Sequence, residues 1–349
     1  MDDSAHCPLP KDHYDRVVMA HGGGGRLMQQ LIETLIGPIF RSPHQELSHD
    51  SARVPLGQEQ LAFTTDSFVV KPLFFRGGDI GKIAVLGTVN DLAMAGAQPL
   101  YLSVGLIIEE GLPLQDLKRI LVSMATTAEA AGVQLVTGDT KVVERGFGDG
   151  LYINTSGIGS LRAGIPPIHP KAIALGDAVL ISGDIGRHGL AILAAREHLN
   201  LDTDIQSDCR DLSRMVKALL DEGISIHCLR DLTRGGLASA LIEIAETAGV
   251  QIVIEETEIP LQPDVEEALE LLGFDPLFVA NEGCFALFLE AKEASRALEI
   301  LKRHPEGVDA HVMGSVTGSK TQGQVLLRTA FGTERLLTRL SGEQLPRIC

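Results

Sequence analysis

The sequence contains no tryptophan and only three tyrosines among 349 residues, while glycine occurs 37 times. That profile excludes a surface built on aromatic stacking and points to tight turns and close backbone approaches. Basic residues are also few: 30 Lys and Arg stand against 46 Asp and Glu, a net charge of -16. With no basic stripe to offset the deficit, nucleic-acid binding as the main role is excluded. No apolar run reaches the ~20 residues of a membrane span. The opening MDDSAHCPLPKDHYD lacks the basic start and apolar stretch of a secretory signal, so the cytoplasm is the expected compartment. The cysteines (Cys7, Cys209, Cys228, Cys284 and Cys349) form no C-x-x-C pair and are odd in number, against a disulfide framework or a structural zinc site. Hydrophobic residues at 44%, charged residues at 22% and no low-complexity tract describe a globular chain long enough for two ordinary domains.

The common nucleotide motifs are missing too. Around Gly81-Lys82 a Walker loop would need Gly at position 76 and Ser or Thr at 83, where Arg76 and Ile83 stand. Gly183-x-x-Gly186-x-x-Gly189 is not the Rossmann fingerprint, and no acidic residue follows at the right remove. Any nucleotide site must be built differently.

Strand and helix patterns alternate along the chain. An arm at 1–41 carries His21-Gly22-Gly23-Gly24-Gly25-Arg26 and a helical face over Leu27 to Ile36. A first α+β domain, 42–162, holds strand patterns at Leu61–Thr65, Phe68–Phe75, Tyr101–Ile108, Val133–Thr137 and Leu151–Ile158. Its helices are Ile83–Ala97, rich in Ala and Gly, and the amphipathic Leu114–Ala131 ended by Gly132. Three prolines mark Ala163–Gly176 as a connection. A second α+β domain, 163–328, repeats the alternation, and a mostly polar tail, 329–349, ends in Pro346-Arg347-Ile348-Cys349.

Several aspartates fall at strand ends or in glycine-rich turns: Asp50, Asp66, Asp139, Asp184 and Asp231. Asp91 lies instead within an apolar helix, where an uncompensated charge is disfavoured. Such carboxylates suit Mg²⁺ held against phosphate oxygens; the alternative is service as caps and turn residues. The Gly22–Gly25 run, flanked by His21 and Arg26, is either an anion-binding nest or a hinge. Arg230-Asp231-Leu232-Thr233-Arg234-Gly235-Gly236 opens a helix whose free amides could meet an anion. Cys349, as the last residue, is either without a role or a thiol carried on a mobile arm, nucleophilic once a pocket activates it.

Taken together, HGGGGR at 21–26, TTDSFVV at 64–70, NDLAMAGA at 90–97, GDTKV at 138–142, SGDIGRHG at 182–189, RDLTRGG at 230–236, NEGC at 281–284 and the terminal PRIC resemble the HypE family of hydrogenase maturation proteins. The motifs run in the same order over nearly the whole chain, and the terminal PRIC is the most specific of them. The wider superfamily (aminoimidazole ribonucleotide synthetase, selenophosphate synthetase, thiamine-phosphate kinase) shares the aspartate and glycine motifs without that tail. The resemblance implies a two-domain α+β, PurM-like fold whose first domain closes a β-barrel with its partner in a homodimer. It implies that a carbamoyltransferase, HypF, loads a carbamoyl group onto Cys349. ATP and Mg²⁺ then dehydrate the thiocarboxamide to a thiocyanate, and the cyano group passes to iron on a HypC–HypD complex. By the same resemblance, Asp50, Asp91 and Asp231 hold Mg²⁺, while Gly23, Gly24, Arg26, Asp66, Asp91, Asp139 and Arg234 serve the nucleotide. Lys141 and Glu282 remove and orient protons beside Cys349. Positions 22–25 are all glycine, so the reactive residue of selenophosphate synthetases is absent. The other readings are a small-molecule kinase or synthetase, and a non-catalytic scaffold delivering metal through Cys349 with His6 and Cys7.

Overall fold

The computed structural model describes residues 25–31, 33–34, 52–56, 59–196, 204–320, 322–340 and 348. The first half is built on a five-stranded sheet of order β1-β2-β7-β5-β6. Its strands are β1 (Ala52–Leu56), β2 (Glu59–Phe68), β5 (Ala97–Glu109), β6 (Gln134–Val143) and β7 (Leu151–Leu161), and a short hairpin pairs β3 (Phe74–Phe75) with β4 (Gly78–Asp79). The first helix among the described residues is the short α1 (Arg26–Leu31). Within this sheet, β5 and β6 pair in parallel and the other neighbours are antiparallel. Parallel neighbours need a crossover, and α3 (Leu114–Ala131) supplies it, burying Ile120, Met124 and Ala128. Gly132, at φ 73°, takes the left-handed turn that ends α3.

Helix α2 (Ile80–Met94) has no polar face: apart from Lys82 and Asp91 every residue is buried. A helix apolar all round belongs inside. Asp79 caps it, accepting from the Gly81 and Lys82 amides at 2.8 and 3.1 Å. Gly81 lets α3 approach, since a Cβ there would lie 2.6 Å from the Ile120 carbonyl.

The second half is a seven-stranded sheet of order β14-β13-β10-β12-β8-β11-β9. Its strands are β8 (Asp177–Ile181), β9 (Ile226–Asp231), β10 (Val250–Glu255), β11 (Phe285–Glu290), β12 (His311–Ser319), β13 (Gln324–Arg328) and β14 (Glu334–Leu337). The helices of this half are α4 (Arg187–Ala194), α5 (Ser213–Asp221), α6 (Gly236–Ala248), α7 (Pro263–Leu272) and α8 (Ala294–Lys302). One apolar cluster under α6 and another under α5 and α8 cover the two faces of the sheet. A third cluster joins the halves: Ile83, Leu86 and Ile153 pack with Leu190, Val265, Leu269 and Ile348. No helix among the described residues is long and apolar enough to cross a membrane.

The expected strand at Phe68–Phe75 is replaced by the end of β2 and the small hairpin, so Asp66 lies within a strand rather than after one. Likewise β6 continues past Thr137 to Val143, which puts Asp139 and Lys141 inside it. Both strands persist through polar residues because ladder pairing holds them, Asp66 opposite Thr155 and Asp139 opposite Gly105. The segment expected as a polar tail begins with a strand, β14, paired to β13.

Candidate active site

Strand alternation aims Ala62, Thr64, Asp66 and Phe68 at α2, with Phe63, Thr65 and Ser67 on the other face. Asp91 comes up from α2 to meet this row, and Thr64 Oγ1 donates to its Oδ2 at 2.8 Å. The amide of Ser67 donates to Asp66 Oδ1 at 2.8 Å.

The second half contributes the opposing wall. Asp231 ends β9 and pairs in register with Phe285 of β11, so the turn before β11, which carries Glu282, sits beside it. The turn is tied down on every side. The Asn281 amide N–H donates to the Leu232 carbonyl at 3.0 Å, and Asn281 Oδ1 accepts from the Gly186 amide at 2.7 Å. Asp208 accepts from the amides of Glu282 and Gly283 at 3.1 and 3.0 Å. Only glycine fits at 283, because a Cβ would lie 1.9 Å from the Asp208 carbonyl.

These carboxylates crowd one another away from water. Burial first, and then the charges of Asp231, Asp208 and Asp66, drive Glu282 well above the usual carboxylate range against the pull of Arg234. Burial raises Asp66 as well, offset by Arg234 and the Ser67 amide. Asp231 is pushed up to about 6 by burial, opposed by Arg230 and reinforced by Asp66. Glu282 Oε1 is buried without a hydrogen-bond partner. A cation bound among these carboxyls would relieve their mutual repulsion and favour their ionised forms. Mg²⁺ usually takes one or two carboxylates and completes its shell with water and phosphate oxygens. The hard oxygen donors fit that mode. Among the described residues no three His, Cys, Asp or Glu side chains gather closely enough to form a complete protein cage.

The raised Asp231 has a measurable consequence. A carboxyl that ionises near 3.8 when unfolded but near about 6 when folded makes the folded chain the better proton binder between those values. Stability of the metal-free chain contributed by this group therefore falls as pH rises through that window, and levels off above it. Melting temperatures of wild type and Asp231→Asn in EDTA should show the difference, wild type minus variant, declining from about pH 4 to about pH 6. A difference constant with pH would contradict this assignment.

Of the residues expected from sequence, Asp66, Asp231 and Glu282 act on one another at the junction of the two halves, with Arg234 exposed at the rim, and Asp91 is tied to Thr64, two residues before Asp66 on the same face of β2. Asp139 and Lys141 do not join them within one chain. They form an exposed ion pair at 2.6 Å on β6, and the Lys141 ammonium holds the Asp139 carboxyl below its ordinary value. Arg26 is exposed at the start of α1, its amide 3.4 Å from the Leu340 carbonyl. Gly23, Gly24, Asp50 and Cys349 lie outside the described residues. Sequence reasoning gave no role to Asp208 or to His188. The latter was visible only as part of SGDIGRHG.

Residues 48–161 match the AIR synthase related protein, N-terminal domain, and residues 174–325 match the AIR synthase related protein, C-terminal domain. A carbamoyl dehydratase HypE of Rhodobacter capsulatus is 50% identical over 340 residues, covering 96% of this chain and 98% of its own. The chain belongs to the HypE family. The carbamoyl dehydratase HypE of Escherichia coli K12 is 44% identical over 342 residues, covering 96% of this chain and all of its own. A crystal structure of HypE in complex with ATP superposes with a TM-score of 0.80 at 45% identity, over 96% of this chain and 100% of the other. A HypE–HypF complex gives 0.83 at 47%, over 89% and 99%. The thiamine monophosphate kinase of Aquifex aeolicus, at 0.63 and 19% over 89% and 99%, shares the fold alone. The two-domain PurM-like architecture expected from sequence is thus that of this HypE-family chain.

Proposed function

We propose that this chain is an ATP-dependent carbamoyl dehydratase whose substrate is a carbamoyl group carried on its own Cys349. The observation that carries the reading is the seat of Ile348. This residue, next to the final cysteine, is only 7% exposed and packs into the cluster shared by the two halves. A segment that merely trailed would have no reason to be enclosed in the core the two halves share.

In the reaction, R–S–C(=O)NH₂ and ATP become R–S–C≡N, ADP and phosphate. The amide oxygen takes the γ-phosphoryl group and leaves as phosphate, while the nitrogen loses both protons as the triple bond forms. Mg²⁺, held by Asp91 and Asp231 with Asp50 as a further ligand, would neutralise charge on the phosphate oxygens. Glu282 suits proton removal once it is ionised: its backbone amide is fixed by Asp208, its Oε1 has no hydrogen-bond partner, and the burial that raises its pKa makes its carboxylate form a stronger base than an exposed carboxylate. In this reading Asp66, Arg234, Arg26, Gly23 and Gly24 serve the nucleotide.

Asp139 and Lys141 enter through a homodimer. Strand β6 is an edge exposed from Gln134 to Val142, and Phe63, Tyr101, Ile107, Val136, Val142 and Ile158 present apolar surface on the same sheet. An uncovered edge of this kind asks for a partner. A second copy closing the sheet into a barrel would cover it and bring Lys141 and Asp139 to a subunit boundary. Residues 42–162 then form the nucleotide and dimer domain, 163–328 the second domain, and 329–349 the carrier segment. HypF would load the tail, in line with the HypE–HypF complex solved for a relative, and HypC–HypD would receive the cyano group in the cytoplasm.

The test is intact mass after incubation with the carbamoyltransferase, carbamoyl phosphate and ATP, with mapping of the C-terminal peptide. A carbamoyl adduct that loses one water when Mg²⁺ and ATP are supplied supports the proposal. No adduct, with the transferase shown to be active, overturns it in favour of a small-molecule kinase or synthetase.

A further inference from the structure

One buried titratable group takes no part in that chemistry. His188, on α4, is fully enclosed, and its ring meets Phe75 edge-on at 5.6 Å. Its Nε2 lies 2.6 Å from the Ile348 carbonyl oxygen and its Nδ1 2.8 Å from Ser207 Oγ. A carbonyl can only accept, so Nε2 carries the hydrogen. Burial lowers the pKa of His188 and favours the neutral ring, in which Nδ1 then accepts from the Ser207 hydroxyl. Ser207 Oγ accepts in turn from the Cys209 amide at 3.1 Å. Each polar atom in the chain has a defined role, and the tautomer is fixed by it.

The acceptor at the far end is the carbonyl of the amide bond to Cys349. The peptide unit is planar, so holding its oxygen constrains the plane that leads to the reactive residue. The other end of the chain of bonds leads to the catalytic wall. Ser207 is followed by Asp208, which grips the amides of Glu282 and Gly283. The Ser207 amide is itself anchored to the Arg76 carbonyl at 2.9 Å. Gly77 packs so tightly there that a Cβ would lie 2.9 Å from Ser207 backbone atoms. One rigid dipeptide, Ser207-Asp208, thus grips the Glu282 turn directly and the tail through an imidazole.

We infer that His188 is the positioning residue that latches the C-terminal segment, and that the Ser207-Asp208 bridge sets the register between the tail and Glu282. This deepens the dehydratase reading and rests on it for its purpose. The latch itself can be measured without any turnover.

His188→Phe keeps a ring against Phe75 but can donate to nothing. In the full-length chain without ATP, iodoacetamide should alkylate Cys349 about three- to tenfold faster than in wild type, the range one neutral hydrogen bond supports. His188→Gln, which retains an N–H donor, should recover much of the protection. On carbamoylated protein, the single-turnover rate of water loss should fall in His188→Phe by a similar factor. The ATP concentration giving half the maximal rate should stay unchanged, a split that loose packing alone would not produce. If His188→Phe does not fold, Ser207→Ala is read instead and should also speed alkylation. Wild-type labelling in whichever folded variant is read overturns the latch. Faster labelling in a chain that never dehydrates its carbamoyl group upholds the latch and overturns the dehydratase reading.

Discussion

Cys349→Ala should leave the melting temperature unchanged and abolish carbamoyl acceptance, with no adduct in the intact mass under conditions that load wild type fully. No described thiol can stand in for it. Cys209, Cys228 and Cys284 are all buried. Burial and the surrounding carboxylates push Cys209 well above its ordinary value. Cys284, enclosed beside Ser182, is pushed up to about 12. A thiol with so little thiolate and no access is neither a nucleophile nor an acceptor. Cys7, outside the described residues, is controlled by Cys7→Ala, which should load normally. Persistent loading of the Cys349→Ala chain would refute the carrier role.

Glu282→Gln should separate loading from dehydration. The variant keeps the size of the side chain and the backbone amides that Asp208 grips, so the tail should still accept a carbamoyl group. Loss of a general base costs on the order of a hundred- to ten-thousandfold, and the ATP-dependent loss of water should slow by that much. The same change removes a carboxyl crowded by Asp231, Asp208 and Asp66. The variant should therefore melt no lower than wild type, and above it at alkaline pH where the native carboxylate is charged. A group that strains the fold while serving the reaction gives this paired signature. A single-turnover assay on carbamoylated protein together with a melting curve checks both halves. Dehydration at the wild-type rate would remove Glu282 from the base role.

Much of the fold was legible because local pattern and tertiary demand agreed. The amphipathic stripe of Leu114–Ala131 and its glycine stop gave the helix with its observed bounds. Asp91 stood out because a carboxylate in an otherwise apolar helix calls for a partner, and Thr64 provides one. What failed was anything decided by pairing. The polar ends of β2 and β6 looked like turns, whereas neighbouring strands hold them extended. Asp208 carries no motif at all. It matters only because the fold lays it under the Gly283 amide, 75 residues away in sequence. His188 sat inside a quoted motif, yet its partner is 160 residues distant, beyond the reach of any local pattern.

The apolar cluster that joins the halves bears on how this molecule comes apart. Leu190, Val265 and Leu269 from beyond the 163–176 connection fill the same core as Ile83, Leu86 and Ile153 from before it. By topology there are two large sheets, one in each half, but neither half is sealed without the other. Cutting the chain at the connection would leave two fragments with facing greasy scars, not two independent modules. In calorimetry the intact chain should lose both sheets in a single cooperative transition. Insertions and recombination at that seam, easy where domains merely touch, would here disturb the cluster in which Ile348 is seated.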